Sequence, residues 1–428
     1  MAGPASTITA LITGCGAALL AACAPVPPAT AGEFAPAAPA AKILNGSVVP
    51  GVEVLLRDSL NLLRGKRVGL ITNPSGRDRA GHSTIDLLAH APGVRLTALF
   101  GPEHGLRGAA QAGVAVASTV DSATGVPIYS LFGAIHAPTP TMLDSVDVLV
   151  YDIQDVGARV YTFEWTMVLA AEAAGRAGKP FIVLDRPDPI RADRVEGNVL
   201  DPAFHSLVGE YPVAMRYGLT PGELLRYLVA VGLVHANVTV VPMQGYRRAM
   251  WFDETGIPWV TPSPNLRDMM AVELYPGTVY FEGTNVSEGR GTDRPFRVVG
   301  APYLTDAGAI ARELNARGMP GVRFDSTKRT IETVPGFKYA GQTIPMIEVV
   351  VTDRDRLRPV DVGVRLLEAI HRHHPAEWQW RTAQIDHLAG TSALRAAVDA
   401  GTVDALLAEW DRQADTFARE RTSSLLYR

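Results

Sequence analysis

Apolar runs alternate with helically spaced segments along most of this chain. Residues 67–72 read as a buried strand that stops at the turn Asn73-Pro74-Ser75-Gly76, and 83–90 carry helical apolar spacing ahead of the breaker Pro92-Gly93. Strands are expected over 96–100, 146–151 and 181–184, with a helix over 163–177 closed by Gly178. Thr220-Pro221-Gly222-Glu223 has the form of a capping box with proline at the first helical position, which starts a helix over 219–231, and 238–242 reads as a late strand. This βαβα alternation predicts an α/β protein with a Rossmann-like parallel-sheet N-terminal domain.

The pattern then changes. Residues 259–300 are rich in Pro, Gly and Asn with little periodicity, and read as a binding segment joining two domains. Helices over 306–317 and 360–373, strands over 322–325 and 346–352, and two further helices through 393–418 predict a smaller α+β C-terminal domain. No internal repeat is visible. The expected organisation is a leader over 1–22, a tether over 23–47, a catalytic domain over 48–265 and the C-terminal domain over 266–428.

Length supports two domains, since 428 residues exceed what one hydrophobic core usually organises. The net charge is -4 with no basic stretch, which argues against a nucleic-acid partner. At the N-terminus, residues 8–22 are apolar and small, too short for a permanent membrane span, and end in Leu20-Ala21-Ala22-Cys23. This resembles a bacterial lipobox, although no Lys or Arg precedes the apolar stretch. It implies lipidation at Cys23, an Ala/Pro-rich tether behind it, and export to the cell envelope with membrane contact only through the lipid. The two cysteines, Cys15 and Cys23, both lie in this leader, so the remaining chain has no disulfide, thiol nucleophile or Cys-ligated metal.

Polar, glycine-punctuated segments follow the expected strands, where open parallel sheets place their ligands. Glu103, in Gly101-Pro102-Glu103-His104-Gly105, can act as general acid or base, or serve as a capping or salt-bridged loop residue. Gly101, Gly105 and Gly108 would let the backbone approach a ligand, with Arg107 as an anion partner nearby. Asp152 and Asp155 flank Gln154 at the next strand end, with Arg159 following. Carboxylates near a third such as Glu103 suit glycoside hydrolysis, and acidic strand ends also suit a divalent cation. The histidines His82, His104, His136 and His205 lack metal-site spacing, so no metal is expected. Residues 282–292 hold Glu282, Asn285, Glu288 and Arg290 without a phosphate-loop or dinucleotide pattern. Arg290 can hold a substrate carboxylate or simply pin its loop. No G-x-S-x-G elbow supports a serine hydrolase. Tyr151, Tyr161, Trp165, Trp259, Tyr275, Tyr280 and Phe281 surround these motifs and offer faces for sugar stacking, or core packing.

Taken together, residues 69–76, 99–108 and 151–159, Thr261-Pro262-Ser263-Pro264-Asn265 and Tyr280-Phe281-Glu282-Gly283-Thr284-Asn285 resemble the NamZ family of exo-β-N-acetylmuramidases over about 48–428. The resemblance implies release of terminal N-acetylmuramic acid from the non-reducing end of peptidoglycan fragments, in cell-wall turnover, without metal or nucleotide cofactor. It makes Glu103 the candidate acid/base and Asp152 or Asp155 the supporting carboxylate. Asn73, His104, Arg107, Gln154, Arg159, Tyr161, Asn265, Glu282, Asn285, Glu288 and Arg290 become candidate substrate contacts. The lactyl carboxylate of the sugar calls for a fixed cation, with Arg107, Arg159, Arg290 and Arg294 as candidates. The alternatives are a cell-wall-fragment-binding lipoprotein without turnover, and an esterase or deacetylase acting on the same polymer.

Overall fold

The computed structural model describes residues 48–108, 113 and 118–428. The expected leader, Cys23 and the tether lie outside the described residues. Strands β1 (Arg67–Thr72), β2 (Arg95–Gly101), β3 (Thr119–Val120), β4 (Pro127–Ser130), β5 (Val148–Asp152) and β6 (Phe181–Leu184) come first in the chain. They are followed by a small antiparallel pair, β7 (Glu196–Val199) with β8 (Ala214–Arg216), and by β9 (Val238–Val241). The main sheet has seven strands in the order β3-β4-β2-β1-β5-β6-β9. Every neighbour pairs parallel except β3 with β4.

The strands are apolar at consecutive positions because both faces of the sheet are covered. Val148 and Val150 pack on one side with Leu70, Leu99 and Ile182, while Leu149 and Tyr151 pack on the other with Phe100, Phe181 and Val183. The covering helices of this half are α1 (Gly51–Val54), α2 (Thr84–Ala89), α3 (Pro140–Leu143), α4 (Thr162–Arg176) and α5 (Pro221–Ala230). The capping box forms as expected, with Glu223 N donating to Thr220 Oγ1 at 3.2 Å and Thr220 N donating to Glu223 Oε2 at 3.1 Å. Chain order reverses between β1 and β5, which fixes a switch point there.

In the C-terminal half, α6 (Met269–Thr278) precedes β10 (Val298–Gly300), α7 (Ala307–Ala316), β11 (Val322–Thr330) and β12 (Thr343–Val351). The three strands form an antiparallel sheet in the order β10-β12-β11. Helices α8 (Pro359–His373), α9 (Thr382–Ala389), α10 (Ala393–Ala400) and α11 (Val403–Glu420) complete it. One continuous apolar cluster runs from Tyr151 and Trp165 through Leu274 and Leu366 to Trp410, so the two halves share a core.

Three local expectations change. The segment 259–300 contains α6, which amphipathic spacing cannot reveal because Ala271–Thr278 is buried on every side. It also holds Pro276 and Gly277, and Gly277 is required: a Cβ there would lie 1.8 Å from Pro359 O, where α6 crosses the start of α8. Strand β11 runs to Thr330 rather than 325, its later residues being alternately exposed and polar. A helix that was not expected, α9, precedes the pair expected through 393–418, which forms as α10 and α11; Gly390 and Gly401 in the left-handed conformation end α9 and α10.

Candidate active site

The crevice at the β1–β5 switch point is filled by the protein's own side chains. Asp152, at the end of β5, is fully buried and receives Arg186 through Nε to Oδ1 at 2.5 Å and Nη2 to Oδ2 at 3.0 Å. Thr84 Oγ1 also donates to Oδ2. Asn73 Oδ1 accepts from Ser75 N at 2.9 Å and its Nδ2 donates to Pro262 O at 3.2 Å. Gln154 Nε2 donates to Pro187 O at 2.7 Å and Asp155 O at 2.9 Å. These residues stitch strand ends together, which corrects the expectation that Asp152, Asn73 and Gln154 face substrate.

Asp155 lies deeper still. It is fully buried, accepts from Tyr217 OH and from Val156 N at 2.6 Å, and sits beside Glu164. Burial raises the Asp155 carboxyl above the ordinary carboxylate range, and the nearby Asp188 pushes the same way. Burial, then Asp155, raise Glu164 as well. This is a sealed acidic cluster rather than a substrate carboxylate, so the role expected for Asp155 also changes.

Glu103 is placed differently. Strand β2 ends at Gly101, and the chain turns back so tightly that a Cβ on Gly101 would lie 2.8 Å from Leu106 N. Gly101 therefore serves the turn rather than a ligand. His104 takes a left-handed φ of 68°, uncommon for a residue with a side chain and recurrent at functional turns. The turn delivers Glu103 and His104 to the wall of a cavity of about 440 Å³ between the sheet's carboxyl edge and the C-terminal half. Glu103 Oε1 accepts from Gly113 N at 2.8 Å and Oε2 from Thr162 Oγ1 at 2.8 Å. Thr162 opens α4, so a regular element fixes the carboxylate. His104 Nε2 lies 3.1 Å from Ser263 Oγ.

Aromatic rings form part of the wall: Tyr161 and Tyr275, with Phe132 and Phe337. Tyr161 meets Tyr275 edge-on at 6.3 Å, and its buried hydroxyl has no hydrogen-bond partner among the described residues. Of the other aromatics singled out above, Tyr151, Trp165, Tyr280 and Phe281 are core residues, and Trp259 packs at the core margin. Asn265, Glu282, Glu288 and Arg290 reach the cavity as expected. Arg290 pairs with Glu282 at 2.9 Å and with Glu288 at 3.4 Å, and Lys338 Nζ lies 3.0 Å from Glu288. Burial raises the Glu282 pKa against the pull of Arg290. Burial acts on Glu288 in the same direction, but Lys338 and Arg290 outweigh it and hold Glu288 below its ordinary value.

The other proposed contacts lie elsewhere. Arg159 is buried in the core, donating to Asn198 O and Ala389 O at 2.8 Å each. Arg107 is exposed and pairs with Asp121 at 2.6 Å. Arg294 pairs with Glu348. Asn285 Nδ2 donates to Glu377 O at 2.8 Å and ties the loop to the C-terminal helices. Sequence reading missed Thr162, Phe132, Lys338, Arg381 and Gln384, which all line the cavity. Only Phe337-Lys338, next to Pro335-Gly336, carried even a turn signal. Among the described residues no three His, Cys, Asp or Glu side chains converge to hold a metal ion.

Comparisons with known proteins cover almost all of this architecture. Residues 68–270 match the family model described as exo-beta-N-acetylmuramidase NamZ, N-terminal, and 273–427 match its C-terminal counterpart. Peptidoglycan beta-N-acetylmuramidase NamZ of Bacillus subtilis (strain 168) is 42% identical over 383 residues, covering 89% of this chain and 91% of that protein. A DUF1343 family protein from Bacteroides fragilis NCTC 9343 superposes with a TM-score of 0.83 at 33% identity, over 90% of this chain and all of its own. A second from the same organism gives 0.70 at 30% identity, over 89% of this chain and 99% of its own.

Proposed function

The chain belongs to the exo-β-N-acetylmuramidase NamZ family, and from that premise we propose that it hydrolyses the bond to a terminal N-acetylmuramic acid at the non-reducing end of peptidoglycan fragments, with Glu103 handling the proton. It is a glycosidase, and the activity named for the Bacillus relative favours sugar release over ester cleavage or binding alone. The observation that carries the assignment of Glu103 is its position. Of Glu103, Asp152 and Asp155, only Glu103 lines the cavity, and no Arg or Lys pairs with it among the described residues.

Cleavage requires a proton on the departing glycosidic oxygen and the elements of water across the broken bond. Glu103 supplies the proton as acid, then takes one from the incoming water as base. The donors Gly113 N–H and Thr162 O–H hold its carboxyl plane while this happens, so orientation is set before the substrate arrives. Tyr161, Tyr275, Phe132 and Phe337 offer apolar ring faces to the sugar.

Export to the cell envelope with a lipid on Cys23 is proposed from the Leu20-Ala21-Ala22-Cys23 motif alone. No helix of the described residues is long and apolar enough to cross a membrane. Loss of membrane fractionation in Cys23→Ser would support that anchor. The activity itself is tested with a chromogenic β-N-acetylmuramic acid glycoside beside its β-N-acetylglucosamine counterpart. Release from the muramoyl glycoside, lost in Glu103→Gln, is expected. Undiminished release by Glu103→Gln would remove Glu103 from the chemistry.

A further inference from the structure

Three Lys or Arg side chains line the cavity: Arg290, Lys338 and Arg381. Two of them are already engaged. Arg290 is held by Glu282 and Glu288, and stacks over Phe296 with 5.0 Å to the ring centre. Lys338 Nζ donates to Phe281 O at 2.7 Å and Val286 O at 2.8 Å besides its pairing with Glu288. Drawing either toward a ligand would strand a buried carboxylate, at a cost above what one new contact returns.

Arg381 has no such commitment. Its guanidinium makes no hydrogen bond or ion pair with any described residue, and the side chain is exposed at the cavity wall. Its backbone, by contrast, is fixed. Arg381 N donates to Gly283 O at 2.8 Å, and its carbonyl accepts from Ile385 N at 2.9 Å. Arg381 is also the N-cap residue of α9, which has no side-chain cap, and Gln384 in the first turn lines the same wall. The positive end of the helix therefore adds to the guanidinium charge at this spot.

We infer that Arg381 is the specificity-determining residue that receives the lactyl carboxylate of the muramoyl unit; this rests on the glycosidase reading above. An anionic sugar entering here meets Glu103, Glu282 and Glu288 on the same wall. Losing water beside those carboxylates is unfavourable unless a cation free to answer the charge is present. A guanidinium fork matches a carboxylate with two parallel N–H···O bonds, and Arg381 is the cavity cation whose fork is not already taken.

The test is calorimetric binding of N-acetylmuramic acid and of its lactyl methylamide to the full chain, beside kinetics on the muramoyl glycoside. The wild type is expected to bind the acid at least about tenfold more tightly than the amide, as a charged hydrogen-bonded pair implies. Arg381→Ala should bring that ratio close to one and Arg381→Lys should keep part of it, with the kinetic loss appearing in KM rather than kcat. A ratio unchanged in Arg381→Ala overturns the inference, as do equal losses on acid and amide. Absence of turnover by the wild type would instead overturn the glycosidase reading, because the calorimetry does not depend on turnover.

Discussion

Glu103 and Thr162 are 59 residues apart in sequence and meet through a single 2.8 Å hydrogen bond, the threonine hydroxyl donating to Oε2. One belongs to the turn after β2 and the other opens α4, so the bond ties a loop carboxylate to a helix rooted in the core.

Thr162→Val should therefore slow turnover without unfolding the protein. Removing one neutral donor costs about 1 kcal/mol, or roughly five- to tenfold in kcat. Thr162→Ser should restore most of it, whereas Glu103→Gln should cost about 10²–10⁴-fold. Steady-state kinetics on the muramoyl glycoside decides. A Thr162→Val enzyme with wild-type kcat would mean that Gly113 N–H alone sets the carboxylate.

Asp152 should behave in the opposite way. Its carboxylate and Arg186 are both withdrawn from water, and neutralising one partner of such a pair leaves a buried uncompensated charge. Asp152→Asn is expected to lower stability by about 3–5 kcal/mol, seen as a lower urea midpoint, while the protein that remains folded keeps its kcat. Wild-type stability combined with lost turnover would return Asp152 to the chemistry.

That contrast shows where sequence reading reached and where it stopped. The strands and the Thr220 cap were legible because they depend on local periodicity and turn chemistry. Placing polar residues at strand ends was also legible, and it found Glu103. Nothing local says whether such a residue faces a ligand or a neighbouring strand end. Asp152 is claimed by Arg186 34 residues later, and Asn73 by the Pro262 carbonyl 189 residues later. Arg159 was a candidate substrate contact for the same reason, yet its partners lie on β7 and α9. Helix α6 was hidden by complete burial, and Arg381 by the absence of any motif around it.

The buried carboxyls make stability depend on pH in a defined direction. Glu196 on β7 is raised to about 7, burial outweighing Arg358 and Arg216, and Asp155 and Glu164 are raised too. Unfolded carboxyls release their protons near 4, so between about pH 4 and 7 the folded state holds protons that the unfolded chain has lost. This contribution is fully present below that window and disappears as pH rises through 7. The urea midpoint should be higher at about pH 5 than at about pH 8, and Glu196→Gln should flatten the slope. A midpoint that rises over the same interval would mean these carboxyls are ionised in the folded protein.

The remaining question is what stabilises the sugar when its bond breaks. A covalent route needs a second carboxylate at the anomeric carbon, and Asp152 and Asp155 are sealed away from the cavity. Glu288 is held by Lys338 and Arg290, and Glu282 by Arg290 while burial favours its neutral form. The undescribed stretches 109–112 and 114–117 contain no Asp or Glu. The substrate carries its own nucleophile, the oxygen of the 2-acetamido group, which needs only Glu103 as acid and then base. Hydrolysis should retain anomeric configuration, and replacing N-acetyl by N-trifluoroacetyl should slow it by at least about tenfold, because the weaker carbonyl nucleophile raises the barrier. Proton NMR of the first product reports the configuration. A glycosyl ester trapped on Glu282 or Glu288 by a 2-fluoro sugar, or inversion of the anomer, would rule this route out.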